Sequence, residues 1–251
     1  MVLSMERWVG KVAVVTGASV GIGAAIAEAL VAAGLNVVGL ARRKEKIEEL
    51  SQKLSNKKGK LYSLKCDVTK EQEILNAFQW IEENVGHPQI LINNAGILQK
   101  NTITDGDTAA WKKVFDVNVF GLLIASREII RILKKNNLPG HIVNINSIAG
   151  HIPLNFPVIN VYPASKYAVT CITDYTSKEL LFEKINNIKV TSVSPGGVET
   201  EIFSAGALDK PPSHFPQLQS EEVADAVLYV LSTSQNVQIN ELTIKPLFEA
   251  F

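Results

Sequence analysis

Lys11-Val12-Ala13-Val14-Val15-Thr16-Gly17-Ala18-Ser19-Val20-Gly21-Ile22-Gly23 is the stretch from which the rest of the chain can be read. Its first six residues form a nearly continuous apolar run rich in valine, which predicts a strand buried on both faces of a parallel sheet. The glycines that follow predict a turn. Ala24 to Ala33 then predicts an alanine-rich helix closed by Gly34, and Val37 to Ala41 a second strand, which completes a βαβ unit.

The rhythm continues outward from that unit. Lys44 to Leu54 reads as helix, Lys60 to Cys66 as strand, Lys70 to Val85 as helix and Gln89 to Asn93 as strand, with Gly86-His87-Pro88 as punctuation. In the second half the pattern predicts a long helix over Asp107 to Lys134, a strand at His141 to Asn146, a helix over Tyr162 to Glu183 and a strand at Ile188 to Ser194. The sixth strand ends at Pro195-Gly196-Gly197. Residues 200–219 carry Pro211, Pro212 and Pro216 and read as a mobile covering segment rather than a regular element. Ser220 to Leu231 predicts a helix and Leu242 to Ile244 a last strand. Strict alternation implies an α/β fold: a doubly wound parallel sheet of about seven strands, helices on both faces, and a ligand crevice at the carboxyl ends of the strands. One domain over residues 1–251 is expected, since α/β folds of this length are often single.

Formal charge is zero, with 25 basic and 25 acidic residues well mixed, which argues against a footprint for nucleic acid or an anionic membrane. No apolar stretch approaches the ~20 residues of a membrane span, and the cytoplasm is the expected location. Cys66 and Cys171 stand far apart with no Cys/His cluster around them, so both are expected as reduced, buried thiols, with neither a disulfide framework nor a metal site. His87, His141 and His214 read as surface or turn histidines.

Two constellations carry chemistry. Gly17, Gly21, Ile22 and Gly23 lie where a glycine-rich turn lets the backbone approach a pyrophosphate and a helix N-terminus supplies amide donors, although the spacing departs from G-x-G-x-x-G. The end of the second strand, where an acid would bond the free ribose of NAD, instead bears Arg42 and Arg43 ahead of Lys44. A guanidinium there pairs with a ribose 2′-phosphate and favours NADP(H), with Ser19 as a second phosphate contact. A solvated basic start to a helix is the alternative for Arg43 and Lys44. Further on, Tyr162 and Lys166 stand four residues apart on one helical face, and a cation beside a phenol lowers its pKa toward a range useful for proton transfer.

Thr16 to Gly23, Asn93-Asn94-Ala95-Gly96, Ser147, Tyr162 with Lys166, and Pro195-Gly196 resemble, in this order, the short-chain dehydrogenase/reductase family over nearly the whole chain. The resemblance implies a single Rossmann domain and reversible hydride transfer between a nicotinamide and a carbonyl or alcohol. It implies Tyr162 as acid/base, Ser147 on the reacting oxygen, Lys166 lowering the tyrosine pKa and holding the nicotinamide ribose, and Asn118 maintaining a water relay to that lysine. It also implies that Asp67, with Val68 beside it, meets the adenine, that Asn93 ties neighbouring strands, and that Asn94, Ala95 and Gly96 lie against the cofactor. By the same resemblance Val198 and Thr200 are expected to bind the nicotinamide carboxamide, and Pro195 and Gly196 to contact the cofactor. Asp67 has a second reading as a helix cap before Thr69. Asn118, of mediocre propensity inside a predicted helix, invites a functional or packing reason.

Met5-Glu6-Arg7-Trp8, Gly39 to Arg43 and Pro195 to Thr200 resemble, more narrowly, the insect farnesol dehydrogenase-like branch, related to vertebrate dehydrogenase/reductase family member 11. That branch implies hydrophobic alcohols or ketones, including isoprenoids and steroids. Phe156, Val158, Ile159, Phe203, Leu208, Phe215 and Leu218 are candidates for an apolar substrate wall, or else pack the covering segment onto the domain. The loop from Ser147 to Tyr162 is a little longer than the common family pattern, and His151 within it reads as a polar wall residue. Pairing through the two long helices into a homodimer or homotetramer is a further implication. The rival readings are a non-catalytic NADPH-sensing or scaffold protein, disfavoured by the intact Asn118, Ser147, Tyr162 and Lys166 set, and sugar-nucleotide epimerisation, disfavoured by the short segment after Pro195.

Overall fold

The computed structural model of the chain describes residues 3–154, 158–159, 161–209 and 215–249. Phe156 and His214 lie outside the described residues. Strands β1 (Val12–Thr16), β2 (Asn36–Ala41), β3 (Lys60–Lys65), β4 (Pro88–Asn93), β5 (Gly140–Ile145), β6 (Ile188–Pro195) and β7 (Glu241–Ile244) form one sheet in the order β3-β2-β1-β4-β5-β6-β7. All six pairings are parallel. The order reverses direction between β1 and β4, and a crevice opens above that switch point.

Valine follows valine in β1 because both of its faces are covered. Ala13 and Val15 point into the core beneath α1 (Gly21–Ala32) and α8 (Ser220–Ser232), while Val12 and Val14 join the core under α3 (Glu71–Asn84) and the helices on that side. A strand with no solvent face carries no polar alternation. Helix α2 (Lys44–Lys53) rides on β2 and β3. Residues Glu6–Trp8 make a single 3₁₀ turn whose Trp8 is buried. Its indole Nε1 and the Arg7 guanidinium both donate to the carbonyl of Leu231, at 2.9 and 2.8 Å, and so satisfy an orphan acceptor in the last turn of α8.

The element boundaries fall within two residues of those predicted over most of the chain, with informative exceptions. Pro88 belongs to β4 as its first residue, where a missing N–H removes little from the ladder. The helix predicted over Asp107 to Lys134 is three pieces in sequence: α4 (Thr108–Phe115), a π-helical turn at Asp116–Phe120 that carries Asn118, and α5 (Gly121–Asn136). Residues 200–219, expected to hold no regular element, contain a short helix, α7 (Ile202–Ala205). Leu218 is buried with Val198 in the core beneath α1 and α8, so for this residue packing the segment down is the reading that holds.

Two side chains contradict expectation. Cys171 is exposed on α6 (Val161–Phe182), whereas Cys66 is buried and its thiol is pushed up to about 12, chiefly by burial. His141 is no surface residue: it lies fully buried on β5, its Nε2 2.8 Å from Thr191 Oγ1. Thr191 gives its proton to the Ile239 carbonyl at 2.7 Å, so His141 Nε2 is the donor and Nδ1 is a bare, unpartnered acceptor.

Burial, reinforced by the nearby charges of Lys189 and Arg7, holds the His141 pKa well below its usual range. A base that is neutral when folded but titrates near pH ~6.5 when unfolded binds more protons in the unfolded state below that pH. Stability attributable to His141 is therefore complete above pH ~6.5 and is lost as pH falls, by up to about 1.4 kcal/mol per pH unit. The urea midpoint should drop between pH 7 and 5, and His141→Gln should flatten that slope.

Candidate active site

The crevice above β1 and β4 is a cleft of about 470 Å³. Its floor is stitched by Asn94, whose side-chain amide donates to the carbonyls of Thr16 at 2.9 Å and Gly17 at 3.2 Å, while Thr16 Oγ1 accepts from the backbone of Asn94 and Ala95. This closeness explains two glycines. A Cβ on Gly17, which has φ +68°, would stand 2.9 Å from Ala95 Cα, and one on Gly23 would stand 2.4 Å from Asn94 Nδ2. Asn93 ties strands as expected, donating at 2.9 Å both to Asn144 on β5 and to Ser126 on α5.

Helix α1 begins at this cleft with no side-chain cap, because its N-cap is Val20. Its first-turn amides are thus left for an anion. Arg42 and Arg43 stand at the rim, both exposed. Arg43 reaches Glu201 at 3.5 Å and so links the end of β2 to the covering segment, while Arg42 has no ion pair within 4.0 Å among the described residues. Asp67 makes a local turn, accepting from the backbone and hydroxyl of Thr69 at 3.0 and 2.9 Å, and it also lines the cleft. Burial pushes its pKa up, but the two Thr69 bonds, with Arg42 and Lys70 nearby, outweigh this and hold the carboxyl below its usual value.

At the inner end of the cleft three elements converge. Ser147 follows β5 and caps a 3₁₀ turn, Ile148–Gly150, its hydroxyl accepting from Ala149 N at 3.1 Å. Tyr162 and Lys166 project from the start of α6, and the Ser147 side chain is near enough to the Tyr162 phenol to influence its proton. The π-helical turn holds Asn118, buried, with its carboxamide bonding both backbone groups of Ile97 and donating to Ser165 Oγ at 3.0 Å. A π turn holds more residues than an α turn, and the Asn118 it carries meets the loop at Ile97.

Lys166 Nζ donates to the carbonyl of Ile145 at 2.9 Å and lies 5.8 Å from the centre of the Tyr162 ring. Burial raises the Tyr162 pKa, and the nearby Ser147 hydroxyl is the influence that lowers it. Burial also brings the Lys166 ammonium down to about 8. At neutral pH the lysine is still charged and the tyrosine still carries its proton.

Gly17, Ser19, Gly21, Ile22, Gly23, Arg42, Arg43, Asp67, Val68, Asn94, Ala95, Gly96, Tyr162, Lys166 and Thr200 all line the cleft. Asn118, Ser147, Pro195, Gly196 and Val198 are not among the residues that line it. Gly196 is crowded by the carboxylate of Glu249, whose Oε1 accepts from Gly197 N at 2.9 Å. His151 is not in the lining; its Nε2 meets Ser194 Oγ at 2.9 Å and Glu241 at 3.4 Å. Sequence reasoning overlooked Lys113 and Asn146, both in the lining. For Asn146 a signal was present, a carboxamide at the carboxyl end of a strand directly before Ser147.

The parallel sheet, the glycine turn into α1 and the Ser147–Tyr162 pair beside Lys166 define a dinucleotide-fold oxidoreductase. The chain belongs to the short chain dehydrogenase family, whose model matches residues 11–210. It is 48% identical over 249 residues to farnesol dehydrogenase of Aedes aegypti, covering 98% of this chain and 100% of that protein. Against dehydrogenase/reductase SDR family member 11 of Homo sapiens it is 43% identical over 252 residues, covering 96% of each. Among solved structures, a short-chain type dehydrogenase/reductase from Mycobacterium marinum superposes with a TM-score of 0.86 at 27% identity over 97% of each chain. The closed form of serine dehydrogenase complexed with NADP⁺ gives 0.85 at 26% identity over 96% of each.

Proposed function

We propose that this oxidoreductase is an NADP(H)-dependent carbonyl reductase and alcohol dehydrogenase acting on a medium-sized apolar substrate, an isoprenoid such as farnesol or a steroid-like ketone. The observation that carries the reading is the placement of Tyr162 and the buried Lys166 together in the cleft lining, with Ser147 beside the phenol. Bound NADP(H) would supply the hydride donor or acceptor. Tyr162, protonated at neutral pH, gives its proton to a carbonyl oxygen in reduction, and in oxidation the phenolate takes one from the alcohol. Ser147 hydrogen-bonds the same oxygen and Lys166 contributes positive charge at the cleft floor. Asn118 keeps the loop carrying Ile97 against α6.

The chain's own residues support the dinucleotide: an uncapped helix N-terminus, a glycine turn that fills no space above it, and a guanidinium at the rim. Arg42 favours the 2′-phosphate of NADP(H), since it is the cation not diverted to Glu201. Arg42→Ala should weaken NADPH binding about tenfold or more and NADH little, measured by fluorescence titration. Equal weakening of both would remove the phosphate contact.

Exposed Phe120, Leu123, Tyr167 and Tyr175 on the π turn, α5 and α6 support pairing into a homodimer or homotetramer through these helices. Two free cysteines suit a reducing cytoplasm. NADPH oxidation followed against a panel of isoprenoid aldehydes and steroid ketones tests the reading. Turnover with an apolar member is expected; NADPH binding with no turnover on any member would overturn it in favour of a nucleotide sensor.

A further inference from the structure

Ser147 is bracketed by two groups that reach the same hydroxyl on α6. On one side Asn146, buried, donates from Nδ2 to Thr170 Oγ1 at 2.8 Å. On the other, the carbonyl of Gly150 accepts from Thr170 Oγ1 at 2.9 Å, with the Lys166 carbonyl a more distant acceptor at 3.2 Å. A threonine hydroxyl has one proton and can accept, so it serves as the single node joining the end of β5, the turn after Ser147 and the helix. Thr170 stands about two turns along the same helix from Tyr162.

The contact is tight. A Cβ on Gly150 would stand 2.7 Å from the Lys166 carbonyl and 2.9 Å from both side-chain polar atoms of Asn146, so the turn is pressed onto α6 without room for a side chain. Asn146 Oδ1 is shielded and has no partner. Rotating the amide would give that oxygen the Thr170 proton but take it from Gly150, so one acceptor goes unmet either way. An orphaned buried acceptor costs stability, and here the cost is borne by a residue that lines the cleft.

We propose that Asn146 and Thr170 are positioning residues that fix the Ser147 hydroxyl against Tyr162 by locking both flanks of Ser147 to the helix that carries the tyrosine. This rests on the roles proposed above for Ser147 and Tyr162. Released from Thr170, the turn Ile148–Gly150 has lost its side-chain tie to α6, and Ser147 draws away from the Tyr162 phenol. Because Ser147 lowers the Tyr162 pKa, its retreat raises it.

Thr170→Val keeps the shape and removes the node. It should lower kcat about tenfold while leaving KM for NADPH within about twofold, and move the pH profile of alcohol oxidation toward alkali by about half a unit. Thr170→Ser should restore both, and in a Ser147→Ala background Thr170→Val should have no further effect on kcat. A lowered melting temperature with unchanged kcat and pH profile would overturn the proposal, as would a full effect in the Ser147→Ala background. Should Thr170→Val not fold, Asn146→Ala is read by the same criteria. Ultraviolet titration of the phenolate, taken as the difference between each protein and its Tyr162→Phe counterpart, separates this inference from the reaction. If the wild type turns over no carbonyl, the functional reading fails, while an alkaline shift of the phenolate in Thr170→Val still upholds the positioning role and an unmoved titration refutes it.

Discussion

Tyr162→Phe is expected to lower carbonyl reduction by about 10²–10⁴-fold, the usual contribution of a positioned general acid, while NADPH binding stays near the wild-type value. The replacement removes one oxygen and leaves the ring, whose packing at the head of α6 holds it in the cleft wall. It deletes the phenol oxygen beside Ser147 and the proton to be given. Because burial raises the Tyr162 pKa, the wild-type enzyme carries that proton at neutral pH. Reduction should therefore be nearly flat from pH 6 to 8, whereas alcohol oxidation, which needs the phenolate, should climb with pH. Stopped-flow NADPH oxidation and a fluorescence titration of NADPH separate chemistry from binding. Activity in the variant equal to wild type would exclude Tyr162 as the acid/base.

Lys166→Met should cost about 10²–10³-fold in kcat, the scale of removing one charged or hydrogen-bonding group aimed at a reacting centre. Methionine matches much of the lysine stem, so the packing of a nearly buried side chain is preserved. The variant loses the positive charge at the cleft floor and leaves the Ile145 carbonyl without its 2.9 Å donor. A modest loss of stability, about 1–3 kcal/mol for the stranded acceptor, should accompany the loss of rate. Since burial brings the ammonium down to about 8, any rate that depends on its charge should decline above that pH in the wild type and lose this limb in Lys166→Met. A variant with wild-type kcat and pH profile would remove Lys166 from the reaction.

Much of this fold was legible because its signals are local. A valine run with no polar alternation can only be a strand covered on both sides, and glycines between it and an alanine-rich segment mark a strand-to-helix turn. Asn118 drew notice as a poor residue for a helix interior, and the π-helical turn supplies the reason. What escaped notice depended on neighbours far along the chain. His141 looked like a turn residue after Pro139-Gly140, yet Thr191 and Ile239 arrive from β6 and the segment before β7 to bury and satisfy one side of it. Cys171 occupies a helix position whose exposure depends on what packs against α6, and the described residues leave it open.

The sequence by itself determined the alternation of strands and helices, the glycine turn at the first crossover, the family and the residue types gathered for chemistry, because periodicity and short motifs act over a few residues. Only the tertiary structure decided which of those groups touch. It directs Lys166 to the Ile145 carbonyl, sends Arg43 to Glu201 and leaves Arg42 without an ion pair among the described residues, and joins Asn146 and Gly150, on either side of Ser147, to Thr170. A hydrogen bond exists within a few tenths of an ångström of ~3 Å and not beyond. Such distances between separate elements follow from how the sheet twists and the helices pack, which no local pattern encodes.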